Sequence, residues 1–370
     1  MYNIAVLAGD GIGVEVMAAA KEALNAACRR AGGPRLAFSD YPAGALAYQQ
    51  TGTALPDETI RACEQADAIL LGAMGLPHIR YRDGTEISPQ LDLREHLELY
   101  AGVRPIQPLK GLASRLADPR AANIDFVLVR EQTEGLFFER RKTQIEDDAE
   151  ARDAMVITRK GSERVFDFAF RLAQRRKARG RRGRVTCVDK ANVLGSMAFF
   201  RRIFEERARH FEDITADSAY VDAMALNLVM KPWDYDVLVT ENLFGDILSD
   251  LSAGLVGGMG MAPSGDIGDK HALFQPAHGS APDIAGTGRA NPTAMLLSAA
   301  MMLEWLGDRH GDAAARSAAA LLHGAIGRAF AEGRALPYEF GGTSSTADIT
   351  RAVIASLATD DATAAGARKG

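Results

Sequence analysis

Short apolar runs alternate along the chain with longer stretches in which apolar residues recur every three or four positions. The runs at residues 4–7, 68–72, 124–129, 184–188 and 237–240 are brief, rich in branched side chains and bounded by turn formers, which predicts strands. Between them, residues 14–31, 164–179 and 197–208 carry a helical period. Beyond residue 290 the pattern is mostly helical, most clearly at 294–306 and 313–331. Alternation of this kind predicts an α/β fold around a largely parallel sheet. No internal repeat interrupts it, and the small, polar residues 359–370 predict a frayed end.

The 370 residues suit about two domains or one large α/β unit. Lys plus Arg number 43 against 48 Asp plus Glu, so the net charge is −5, which argues against a nucleic-acid partner bound through phosphate neutralisation. The basic run at 175–184 then reads as a solvated helix end and loop rather than an RNA patch. Cys28, Cys63 and Cys187 lie far apart, form no metal-ligand spacing and read as buried small hydrophobes in a reducing compartment. The chain opens on a strand pattern rather than a signal segment, and no apolar run approaches the ~20 residues that span a bilayer. A cytoplasmic protein without a membrane partner is expected.

Candidate chemistry gathers first at residues 237–251, where a strand leads into a helix. Asp246 and Asp250 are four apart and share a helix face beside the apolar Leu243, Ile247, Leu248 and Leu251. Two such acids repel each other unless a cation sits between them, and hard oxygens suit Mg²⁺ or Mn²⁺; simple solvent exposure is the other reading. Asp222, a lone acid in an apolar segment, is either a third ligand or a helix cap.

Arg130 closes the strand at 124–129, Arg104 is held extended by Pro105, and Arg94 sits on an amphipathic stretch. Guanidinium forks of this kind are preferred partners of carboxylates, although each arginine alone reads equally as surface. Lys190 follows a strand directly and is either a general base near a cation or an ordinary exposed lysine. The turn Gly9-Asp10-Gly11-Ile12-Gly13 links strand to helix but lacks the GxGxxG spacing of a dinucleotide fingerprint. In the turn-forming stretch from His278 to Gly286, Asp283 can accept hydrogen bonds from ribose hydroxyls and would repel an extra phosphate, which favours NAD over NADP.

Together these segments resemble the isocitrate/isopropylmalate/tartrate dehydrogenase family, the β-decarboxylating dehydrogenases, over residues 4–355. The motifs that carry the likeness lie at residues 7–13, 188–194, 220–225, 242–251 and 278–292, and they are nearest the 3-isopropylmalate branch. The resemblance implies an isopropylmalate dehydrogenase-like two-domain fold with a shared central sheet, not a Rossmann fold. Residues 1–100 plus 257–370 would form the cofactor-side domain, and 101–256 the dimerisation and metal-side domain. It implies a homodimer with shared active sites, in which Lys190 and Asp222 of one subunit face Asp246 and Asp250 of the other. Arg94, Arg104 and Arg130 would bind the carboxylates of a malate-type substrate, with Ser88 and Gln90 beside its third substituent. Asp222, Asp246 and Asp250 would hold Mg²⁺ or Mn²⁺, and Lys190 with Asp222 would be catalytic. NAD would lie against Ile12, Asn192, His278, Gly279, Ser280, Ala281, Asp283 and Asn291.

Three departures qualify the substrate and the chemistry. Phe137 stands where the family usually has the tyrosine that protonates the enol, so oxidation without decarboxylation is an alternative. Gln275 replaces the glutamate that many relatives carry in the cofactor loop. Before Arg94, only Leu91 remains of the adjacent leucines typical of isopropylmalate enzymes. An isopropyl group buried against the Gln90 amide would cost on the order of 1–3 kcal/mol, so tartrate, D-malate and isocitrate-type substrates stand as alternatives. A non-catalytic regulatory subunit is the remaining class, and the complete set of Asp222, Asp246, Asp250 and Lys190 argues against it.

Overall fold

The computed structural model describes residues 1–359, so the tail expected to fray lies almost wholly outside the described residues. Twelve strands occur there in chain order: β1 (Tyr2–Gly9), β2 (Leu36–Asp40), β3 (Ala68–Ala73), β4 (Ala101–Ile106), β5 (Phe126–Glu131), β6 (Gln144–Glu146), β7 (Glu150–Arg152), β8 (Arg184–Asp189), β9 (Thr215–Tyr220), β10 (Val237–Thr240), β11 (Pro263–Ile267) and β12 (Ala272–Pro276). Ten of them form one sheet in the order β2-β1-β3-β12-β11-β4-β5-β10-β8-β9, and β6 and β7 pair separately. The order is not that of a Rossmann sheet. All five predicted strands are present, and the predicted helices appear as Gly13–Arg30, Arg159–Ala178, Gly195–Ala208, Thr293–His310 and Ala313–Ala331.

The sheet is parallel in its outer parts and reverses in the middle. β1 pairs in parallel with β2 and β3, β3 with β12, β5 with β10, β10 with β8, and β8 with β9. β12–β11, β11–β4 and β4–β5 are antiparallel. The expectation of a largely parallel sheet therefore holds for the flanks only. Strands β4, β11 and β12 escaped the sequence pattern because glycine, proline and polar residues break their apolar runs, as in Ala101-Gly102-Val103-Arg104-Pro105-Ile106 and Pro263-Ser264-Gly265-Asp266-Ile267.

Burial on both faces explains why the predicted strands are continuous apolar runs. In β1, Ile4 and Val6 enter one core cluster while Ala5 and Leu7 enter another. In β5, Val127 and Val129 face the first of these, and Phe126 and Leu128 face a third. Aromatic packing locks two covering helices together: Phe170 of Arg159–Ala178 stacks on Phe204 of Gly195–Ala208 with ring centroids 5.3 Å apart.

The basic run at 175–184 is consumed internally. Arg176 binds Asp236 at 2.6 Å and Asp125 at 3.0 Å, Arg179 binds Glu304 at 2.7 Å, and Arg181 binds Asp125 at 2.5 Å. The three cysteines are buried and free. Among the described residues no helix is long and apolar enough to cross a membrane.

Candidate active site

A cavity of about 240 Å³ lies where the sheet reverses, lined from both of its halves. Met74 follows β3, Arg104 lies in β4, Arg130 in β5, Gln275 and Pro276 end β12, and Asp246, Ser249 and Asp250 come from helix Asn242–Leu255. Gln90, Leu91 and Arg94 enter from helix Pro89–His96, and Phe137 from the turn after β5.

The three arginines expected from sequence converge here and are all buried. What fixes them was not legible. Asp266 of β11, with no exposed surface, accepts from Arg94 Nε at 2.9 Å, Arg104 Nη1 at 3.2 Å and Gln275 Nε2 at 2.7 Å. Burial alone would raise the Asp266 carboxyl, but the charges of Arg94 and Arg104 outweigh it and hold the group at about 2. Arg130 donates Nε and Nη2 to Asn242 Oδ1 at 3.0 and 2.7 Å and Nη1 to Asp246. Burial first, and then the charge of Arg94, draws Arg130 down to about 10. Gly245 makes this seat possible, because a Cβ there would lie 2.6 Å from Arg130 Cγ.

Asp246 and Asp250 share one face of helix Asn242–Leu255, whose N-terminus is capped by Glu241 through Leu243 N at 3.0 Å and Phe244 N at 2.6 Å. Burial and then the neighbouring Asp246 raise the Asp250 carboxyl above its ordinary range. The hard carboxylate oxygens of the pair are of the kind that fits Mg²⁺ or Mn²⁺. The apolar stripe read beside them needs one correction: Ile247 is 59% exposed and faces outward. The sequence period groups residues by helix face but does not say which face the protein covers.

Lys190 and Asp222 do not join this pair within the chain. Lys190 Nζ lies 2.8 Å from Asp222 Oδ1, and that hydrogen bond lowers the Asp222 carboxyl. Neither residue lines the cavity, and among the described residues no three His, Cys, Asp or Glu side chains group to hold a metal. Asp222 is not a helix cap; Tyr220 occupies that position and Asp222 lies within helix Val221–Met230. Asn192 is exposed on the same loop as Lys190, which buried Asp189 anchors by accepting from Ala191 N at 2.8 Å and Arg201 Nε at 2.7 Å.

The expected cofactor residues divide. Ile12 N donates to Ser280 O at 2.8 Å, and a Cβ on Gly11 would meet that same oxygen at 2.1 Å, so the first turn lies flush against the later loop. Ser280 Oγ donates to Gly75 O at 2.5 Å. His278 and Gly279 line the cavity, and His278 Nε2 is buried without a partner. Ala281 is half-buried with φ 36°, and Asp283 is exposed beyond it. Asn291 is committed elsewhere: its Oδ1 accepts from Thr293 N at 3.1 Å and Thr293 Oγ1 at 2.6 Å, and its Nδ2 donates to Glu339 at 3.1 Å. An orphaned ring nitrogen and a backbone cradle beside an exposed acid fit a dinucleotide. Gln90 lines the cavity with Oε1 buried and unpartnered, whereas Ser88 is half-buried outside it.

Sequence gave no hint of Asp10, which ties this end of the molecule together. Its buried carboxylate accepts from Ala45 N at 2.7 Å, Leu46 N at 2.9 Å and Gly75 N at 2.8 Å. An acid between two glycines in a turn reads as turn chemistry, and only the fold brings the three donors to it.

The family model described as isocitrate/isopropylmalate dehydrogenase matches residues 3–353. A 3-isopropylmalate/3-methylmalate dehydrogenase of Methanocaldococcus jannaschii is 46% identical over 83% of this chain and 87% of its own. A homoisocitrate dehydrogenase of the same organism is 42% identical over 84% and 86%. Among solved structures, the isocitrate dehydrogenase of Methylococcus capsulatus superposes with a TM-score of 0.84 at 37% identity, covering 96% of this chain and 99% of that one.

Proposed function

The chain belongs to the isocitrate/isopropylmalate dehydrogenase family of hydroxy-acid oxidoreductases acting on CH–OH, and from that footing we propose that it oxidises a malate-type 2-hydroxy dicarboxylic acid, 3-isopropylmalate-like, with NAD and a divalent metal. The observation that carries this reading is one cavity that sets three buried arginines against the acid pair Asp246 and Asp250.

Arg94, Arg104 and Arg130 bind and orient the substrate carboxylates, and their burial excludes the water that would otherwise compete for them. Asp246 and Asp250, with Asp222 of a second subunit, would hold Mg²⁺ or Mn²⁺. Bound there, the metal would supply Lewis-acid polarisation of the alcohol oxygen, and NAD⁺ would supply the hydride acceptor. Lys190 of the second subunit takes the hydroxyl proton at Nζ, with Asp222 holding the amine in place. His278, Gly279 and Ser280, with Ile12 behind them, would seat the nucleotide.

A homodimer follows from the same reading. Helix Val221–Met230, which carries Asp222, exposes Leu226, Val229 and Met230, and the helix of Asp246 and Asp250 exposes Ile247, apolar surface suited to a second copy. Residues 1–100 plus 257–370 and residues 101–256 are taken as two domains, since the first set supplies β2-β1-β3-β12-β11 and the second β4-β5-β10-β8-β9. Three free buried cysteines accord with a cytoplasmic setting.

Oxidation without decarboxylation is the second reading, favoured by Phe137. Its ring lines the cavity 5.3 Å from the Arg130 guanidinium and has no proton to give an enolate. The deciding assay offers Mn²⁺ and NAD⁺ with 3-isopropylmalate, D-malate, tartrate, isocitrate and homoisocitrate, and follows NADH and carbon dioxide together. Metal-dependent NADH formation from a malate derivative is expected. No turnover of any of the five would overturn the assignment.

A further inference from the structure

Asp266 stands apart from the expected machinery. It lies beneath the cavity rather than on its wall, is fully buried, and neutralises guanidinium charge that would otherwise face the substrate. Its two oxygens are filled by Arg94, Arg104 and Gln275, with Ser264 Oγ at 3.4 Å. Among the described residues, Gln275, 7% exposed, is the one hydrogen-bond partner of Asp266 on the wall that is not an arginine, and it points an amide at the carboxylate.

Three arginines bring three positive charges and Asp266 removes one. Asp246 and Asp250 balance a divalent cation, and Lys190, protonated while the substrate binds and shedding that proton before it serves as the base, balances Asp222. The surplus is two positive charges, which matches two carboxylates and leaves a third unmatched. A charge without exposed surface is poorly screened, so this mismatch is felt at the ligand.

We propose that Asp266 is a specificity-determining positioning residue that sets the charge of the substrate site, favouring dicarboxylates over tricarboxylates and holding the Arg94 and Arg104 forks in place. The inference rests on the malate-type reading above and narrows it. Gln275 serves as a neutral donor to Asp266. A glutamate at that position would set a second carboxyl against Asp266, and the two would have to share one proton.

The test is calorimetric titration of the full-length, Mn²⁺-loaded protein, without nucleotide, by D-malate and by isocitrate. The unmodified protein is expected to bind the dicarboxylate more tightly. Asp266→Asn should move the ratio of the two dissociation constants toward isocitrate by roughly tenfold or more. A merely structural role would weaken both ligands alike. The double variant Asp266→Asn, Gln275→Glu returns one carboxylate to the network and should move the ratio back. An unmoved ratio in folded Asp266→Asn overturns the proposal. If that variant fails to fold, Asp266→Ser, which keeps an acceptor for the arginines without the charge, decides: the ratio should again move toward isocitrate, and an unchanged ratio is again fatal. Should the unmodified protein bind neither anion, the functional reading itself fails, an outcome distinct from binding both with an unmoved ratio.

Discussion

Lys190 and Asp222 pair with each other at 2.8 Å on a surface from which neither lines the cavity that holds Asp246 and Asp250. The separation is a property of one subunit. Lys190 is partly covered and Asp222 is 68% exposed at its side chain, which leaves the pair accessible to the second copy proposed above.

Complementation follows from that geometry. Lys190→Ala and Asp246→Asn should each be inactive alone. Co-expressed in equal amounts, half the dimers are mixed and each mixed dimer regains one of two sites, giving about a quarter of the unmodified activity. Absence of any recovery from purified mixed dimers would contradict shared sites.

Phe137→Tyr places a hydroxyl on the cavity wall beside Arg130. The carbon dioxide released per NADH formed should rise. An unaltered ratio across the substrate panel counts against an acid's role at this position.

Asp10→Ala removes an acceptor from three backbone N–H groups in the loops around the first turn. Leaving them unpaired should cost about 2–4 kcal/mol, read from the shift in urea unfolding. A loss within 0.5 kcal/mol, the range of an ordinary surface change, would refute the tie between these loops.

Glu131 predicts a pH dependence of stability. Burial is the main cause that pushes its carboxyl from 4.5 up to about 7. The folded state then holds a proton that the unfolded chain releases, so this group's contribution is complete below pH 4.5 and is lost as pH rises through about 7. Glu131→Gln cannot lose that proton. Relative to the unmodified protein it should gain on the order of 2–3 kcal/mol between pH 5 and pH 8. Parallel stability curves over that window would show Glu131 to be ordinary.

Much of the fold was legible because burial on both faces leaves a plain mark. The runs in β1, β3, β5, β8 and β10 are short and apolar, and helices such as Ala313–Ala331 keep a regular period. Strand β9 was missed because its residues are mostly exposed or half-buried and polar, Thr215-Ala216-Asp217-Ser218, with no apolar run to find. The reversal of the sheet at β11 and β4 was missed because pairing direction is a relation between distant segments.

By itself the sequence determined which polar and charged residues stand together on one element. The three arginines, the acids four apart on a helix, the Lys190 loop and the glycine turn are local facts, fixed by residue type and by spacing along one element. Only the tertiary structure decided which of them meet. Asp266 lies 172 residues from Arg94 and 162 from Arg104 in the chain, yet it binds both, while Lys190 and Asp222, expected to serve the acids of a second subunit, line no part of the cavity in their own chain. Hydrogen bonds and charges act over a few ångströms of space, and a linear pattern carries no measure of that distance.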